Sequence, residues 1–205
     1  MTEVRLVNRM KYSAGMVSQL FAFVETKKLA DLLVKGMSKE EAWQHVEREN
    51  LFQLQNPTRL KKTFNYIFKR LQSLPDELLR ILPSLDAENA KILVLIGIMK
   101  TDLLFFEFVY EVYRGKIILG EKTIENRALN EFFDDKASQS ELVAGWSEEG
   151  VQKLKQCYIK NLVDAGLLTD TKTRTIKPAL INYRVEDVLK RNDMTVYLNA
   201  VLGNR

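Results

Sequence analysis

The alternation of apolar and polar positions predicts helices along almost the whole chain. In residues 26–35, TKKLADLLVK, Leu29, Leu32 and Leu33 share one helical face, and Gly36 supplies a stop. Ser38 precedes Glu41 by three residues, the spacing of a capping box, and the helix it opens turns Ala42, Trp43 and Val46 inward. Pro57 then marks the first turn of a third helix, where its missing N–H costs least. Along NPTRLKKTFNYIFKRL, residues 56–71, Leu60, Phe64, Ile67, Phe68 and Leu71 form one buried stripe. Projected at helical spacing, Arg59, Lys62, Asn65, Tyr66, Lys69 and Arg70 fall on the opposite, outward side.

Further on the pattern changes. A short helix is expected at DELLRIL, and residues 92–113, ILVLIGIMKTDLLFFEFVYEVY, are apolar on every side, as in a buried helical hairpin or a bent helix. A membrane span is not expected there. Lys100 and Asp102 would lie near the middle of any such span, at about 2.5 to 3.5 kcal/mol each. Thr123 is expected to begin a helix with Ile124, Leu129, Phe132 and Phe133 inward. Ser147 is expected to cap a longer one that turns Val151, Leu154, Tyr158, Leu162 and Val163 to the core and ends at Gly166. Residues 167–181 are rich in Thr and interrupted by Pro178, which predicts a short β-hairpin, placed as the wing of a winged-helix domain would be. Two closing helices follow, at VEDVLKRN and MTVYLNAVLG.

The reading is therefore an all-α protein. An N-terminal helix-turn-helix-like part (residues 1–75) packs with a C-terminal helical bundle (residues 76–205) that carries one hairpin. With 46% hydrophobic residues in 205, the chain can bury a sizeable core. Glu3, Asn8 and Arg9 interrupt the apolar character of the N-terminus, so a signal peptide is not expected. One Cys leaves no internal disulfide, and a reducing, cytoplasmic setting is expected.

Charge sharpens the picture. Residues 1–75 carry 13 Lys/Arg against 7 Asp/Glu, residues 76–150 carry 8 against 15, and residues 151–205 carry 10 against 5. Two basic ends flanking an acidic body favour polyanion binding at the ends. No phosphate-binding glycine loop, nucleophile elbow or metalloprotease pair occurs. His45 stands alone, Cys157 lies mid-helix, and Asp134, Asp135, Glu148 and Glu149 suit helix ends. No catalytic residue, metal site or cofactor is expected, so a binding protein is favoured over an enzyme.

Four blocks carry a resemblance: YSAG at 12–15, residues 32–71, WSEEGVQKLKQCYIKNLVDAGLL at 146–168 and IKPALI at 176–181. In this order they resemble the BrxA family of bacterial BREX phage-exclusion systems. The resemblance implies an all-helical cytoplasmic protein with a helix-turn-helix-like part, a bundle similar to the NusB antitermination proteins, and binding of double-stranded DNA. It also brings an inner-membrane label, against which the interrupted apolar region argues. On the DNA-binding reading, Arg59, Lys62, Lys69 and Arg70 meet phosphates, Asn65 and Tyr66 are free for bases or sugars, and Lys172, Arg174 and Lys177 extend the footprint. Two alternatives stand beside it: a protein-protein scaffold among other BREX components, and an RNA-binding module suggested by the NusB-like bundle.

Overall fold

Six helix starts among the described residues are set by side chains, Ser38, Asn56, Asp86, Asp102, Ser147 and Asn182, that accept otherwise unpaired backbone N–H groups. The structure is a computed structural model that describes residues 11–204. Glu3, Asn8 and Arg9, on which the signal-peptide argument turned, lie outside the described residues. Helix α1 (Phe23–Val34) ends ahead of Gly36, whose φ of +90° suits the turn into α2. Ser38 and Glu41 close the expected capping box at α2 (Lys39–Arg48), with the Glu41 N–H 3.2 Å from Ser38 Oγ and the Ser38 N–H 2.7 Å from Glu41 Oε2. Asn56 caps α3 (Pro57–Gln72) by accepting from the Arg59 N–H at 2.9 Å, with Pro57 in the first turn.

Then come α4 (Asp76–Ile81), a 3-10 turn at Leu82–Ser84, and α5 (Ala87–Thr101). Every side chain of α5 from Asn89 to Met99 is buried except Lys91, so this helix is the central element of the fold. It ends at a single extended residue, Asp102, whose carboxylate accepts from the Phe105 N–H and restarts the chain as α6 (Leu103–Phe108). The apolar region is thus two helices broken at one residue. A π-helical turn at Val109–Tyr113 joins α6 to α7 (Arg114–Ile118). Among the described residues, no helix is long and apolar enough to cross a membrane.

The helix expected from Thr123 starts later, as α8 (Asn126–Gln139). Thr123 instead forms an isolated bridge to Thr175, and the Ile124 N–H donates to the Arg174 carbonyl at 3.3 Å. Pairing with a distant segment overrides the local helical pattern there. After the short α9 (Glu141–Ala144), Ser147 caps α10 (Glu148–Asp164) as expected, and Gly166 turns at φ +83°. The segment expected as a hairpin pairs only through isolated bridges, Thr123 to Thr175 and Leu168 to Ile176. Asp170 shapes its tip by accepting from the Thr173 hydroxyl and from the N–H groups of Thr173 and Lys172, which hold its carboxyl down at about 2. Helices α11 (Tyr183–Arg191) and α12 (Thr195–Leu202) close the chain.

Helix α1 packs on α3 and α4, α3 crosses α5, and α12 packs against the π-helical turn. One cluster of buried side chains runs from Met16 to Val201. At about 25 cal/mol per Å² of apolar surface removed from water, such a cluster is the main source of stability. A polar knot stands at its edge: the buried Lys136, 5% exposed, bonds Glu107 at 2.8 Å and Glu111 at 2.7 Å, and Tyr12 donates to Glu107. Burial, with that hydrogen bond, pushes the Tyr12 phenol up to about 12.

Candidate nucleic-acid interface

The strong segregation of apolar and basic positions on α3 places its cations in two different environments. Arg59, Lys62, Asn65 and Lys69 are exposed, and Tyr66 is half-buried. Among the described residues none of Arg59, Lys62 and Lys69 has a carboxylate within ion-pair distance, and α3 itself contains no Asp or Glu. Lys61, which the outward list omitted, is also exposed, and its ammonium sits 3.7 Å from the centre of the Trp43 ring.

Arg70 corrects the sequence reading. It is 2% exposed and cannot reach a phosphate. Its guanidinium donates to the Leu20 carbonyl at 2.7 Å and to Gln19 Oε1 at 3.0 Å, and it stacks 4.5 Å from the Tyr66 ring centre. Burial pulls its pKa down to about 10, so it stays charged at neutral pH. The helical projection placed Arg70 outward because it counts only α3, whereas a segment some fifty positions earlier covers that edge of the helix.

That segment is a strap, residues 12–22, which the helical pattern did not reveal. Tyr12 anchors one end on Glu107. A 3-10 turn at Gly15–Ser18 then buries Met16 against α10, where the Asn161 amide lies 3.8 Å from its sulfur. Arg70 holds Gln19 and Leu20, Phe21 is buried, and Ala22 takes a left-handed φ of +54° to enter α1. Between these anchors Val17 and Leu20 point outward, Leu20 with 53% of its surface exposed.

The strap divides two depressions, and Val17 and Leu20 line both. The smaller, about 460 Å³, is bounded on α3 by Asn56, Arg59, Lys62 and Tyr66 and contains no carboxylate. The larger, about 1190 Å³, lies between the strap, α8, α10 and the 171–174 loop. Its charged lining is Lys91, Lys155, Lys160 and Arg174 against Glu25 and Asp164, with Lys160 paired to Asp164. Of the three loop cations expected to extend the footprint, Lys172 and Lys177 are exposed, but only Arg174 lines this groove. It is half-buried, at φ +51°, and bonds Asn126 Oδ1 at 2.6 Å. Lys155, which donates to Asn130 Oδ1 at 2.8 Å, also lines the groove and was missed. Its only sequence signal was a polar position on the outer face of α10.

Other candidate chemistry is sparse. The Cys157 thiol is half-buried and pushed up by burial, which disfavours the thiolate. His45 lies 3.4 Å from the Arg48 guanidinium. Among the described residues no three His, Cys, Asp or Glu side chains are grouped to hold a metal ion.

Fold and surface together define an all-helical protein whose basic depressions flank a clamped strap. A crystal structure of an uncharacterized protein from Magnetospirillum magneticum shares this fold, with a TM-score of 0.80 at 21% identity over 95% of this chain and 100% of that one. The BrxA family model matches residues 10–193. A BREX protein BrxA from Bacillus cereus is 36% identical over 97% of this chain and 100% of its own length. Another from Paramagnetospirillum magneticum is 24% identical over 93% and 96%. The chain belongs to the BrxA family.

Proposed function

We propose that this chain is a non-enzymatic component of a BREX phage-defence system that binds double-stranded DNA through α3 and the strap. The observation that carries this reading is the row Arg59, Lys62 and Lys69, exposed and, among the described residues, with no carboxylate within ion-pair distance, of which Arg59 and Lys62 line a depression that holds no negative charge. Free cations of this kind release condensed counterions when they meet phosphates, which is the main sequence-independent source of DNA affinity. Asn65 and Tyr66 lie on the same helix, in reach of sugars and base edges. The second helix of a helix-turn-helix enters the major groove by presenting its outer face, and α3 offers that face after the capped α2.

The test is a titration with duplex DNA at several salt concentrations. Binding is expected at low salt, with log affinity falling against log salt by about 0.9 for each phosphate contacted. Absence of low-salt binding overturns the reading, and preference for a competing RNA replaces it with RNA binding. A second reading, a scaffold for other BREX components, is favoured by Leu180 and Tyr183, which are 78% and 80% exposed just ahead of and at the first residue of α11. Nuclease-resistant co-purification of such a component, lost in Leu180→Ser/Tyr183→Ser, supports it.

A further inference from the structure

We infer that Leu20, with Val17 beside it, is an apolar wedge that enters a base step of bound duplex DNA, and that Arg70 positions it. The inference rests on the DNA-binding reading and deepens it by naming how the duplex is deformed.

Leu20 is an apolar side chain kept in water. It is 53% exposed, and its backbone is held on both sides of the side chain. Its carbonyl accepts from the buried Arg70 guanidinium at 2.7 Å, and its N–H donates to Tyr66 Oη at 3.4 Å. The preceding side chain, Gln19, is held by the same guanidinium, and Met16 and Phe21 are buried on either side. A buried arginine is costly to desolvate, and here its hydrogen bonds go to this exposed turn. Arg70 thus fixes the backbone that carries Leu20.

Charge selects the occupant. Leu20 and Val17 stand between a depression with Arg59 and Lys62 and a groove with Lys155 and Arg174, and both are net positive. Cations on both flanks of an apolar ridge suit the two phosphate backbones on either side of a DNA groove, with the ridge directed at its floor. Apolar wedges in that position unstack a base step and bend the duplex, so that more of its surface meets the protein. The amides around the larger groove, among them Asn126, Asn130, Gln152 and Gln156, supply hydrogen bonds to sugars and base edges along that bent path.

The test uses a set of duplexes carrying aminopurine, whose fluorescence rises on unstacking, at successive internal positions. The intact chain is expected to raise the signal severalfold at one or more positions. Leu20→Ala, an exposed change, is expected to lose that rise while duplex affinity falls by about tenfold or less. Arg70→Lys cannot hold both Leu20 and Gln19 through a planar fork. Where its thermal transition shows a folded protein, it is expected to weaken the rise while leaving the salt dependence of binding unchanged. Salt-dependent binding without a fluorescence rise, or an equal rise with Leu20→Ala, overturns the wedge and leaves DNA binding standing. No duplex binding at low salt overturns both. If Leu20→Ala abolishes nuclease-resistant capture of another BREX component with DNA binding unchanged, the ridge is a protein contact and the wedge is overturned.

Discussion

Helices α3 and α10 are the two longest in the fold, both capped and both lysine-rich, yet their cations are not equivalent. On α10, Lys153 pairs with Glu149 and Lys160 with Asp164, each at i,i+4 spacing. On α3 no acidic residue occurs, and among the described residues no carboxylate lies within ion-pair distance of the exposed Arg59, Lys62 and Lys69. Helix α11 repeats the pattern of α10, with Lys190 paired to Glu186 and Arg191 to Asp187 and Glu77. The excesses of +6 and +5 in the N- and C-terminal segments are therefore alike in number but differ in availability. A paired surface lysine must give up its carboxylate before it meets a phosphate, although such exposed pairs are worth at most about 1 kcal/mol.

The largest expected effect breaks this contrast directly. Arg59→Glu/Lys62→Glu/Lys69→Glu is expected to weaken duplex binding at low salt by about a hundredfold or more with the fold intact, as read by circular dichroism. Lys153→Glu/Lys190→Glu, which reverses paired cations, is expected to change affinity by about threefold or less. Equal losses in the two variants would erase the distinction between the helices.

Arg70 sharpens it from within α3, because the same residue type on the same helix has a structural role. Arg70→Ala removes two charge-assisted hydrogen bonds and leaves the strap unheld, at an expected cost of about 3 kcal/mol in denaturant unfolding.

Asp102, at the break after α5, gives a pH signature to the same region. Burial raises its carboxyl from the ordinary 3.8 to about 6, against the opposing pull of the Phe105 N–H and the Arg70 charge. A carboxyl raised on folding contributes stability that is full below 3.8 and is lost as pH climbs through about 6. Unfolding free energy is therefore expected to fall over that window by up to about 3 kcal/mol, less for the part of Asp102 that stays wet. Asp102→Asn, which keeps an N-cap, is expected to flatten the slope.

A smaller effect is expected at Gly97, where α5 passes α3. A Cβ there would stand 3.2 Å from the Arg70 carbonyl oxygen and 3.3 Å from its Cβ. Gly97→Ala is expected to cost about 1 to 2 kcal/mol and to lower the thermal midpoint by overpacking. An unchanged midpoint would mean that the two helices can separate without cost.

Much of the fold was legible in the chain. The capping box at Ser38 and Glu41, the Asn56-Pro57 entry to α3, its Leu60 to Leu71 stripe and the Ser147 cap of α10 each depend on residues within a few positions of one another. The failures share another cause. Thr123 was read as a helix start because Ile124, Leu129 and Phe132 fit the period, but its backbone pairs with Thr175. The candidate site was legible only in part: Arg59, Lys62 and Lys69 stand where the projection put them, Arg70 does not, and Lys155 was overlooked.

The sequence by itself determined most of the helices, the caps at Ser38, Asn56 and Ser147, and the apolar stripe and acid-free basic face of α3, because periodicity and capping are satisfied by near neighbours along the chain. Only the tertiary structure decided that residues 12–22 form a strap, that Arg70 turns inward to hold it, and that Leu20 stands between two basic depressions. Those outcomes depend on hydrogen bonds between groups fifty or more positions apart, Arg70 to Leu20 and Tyr12 to Glu107, and no local pattern encodes which distant backbone will claim a guanidinium.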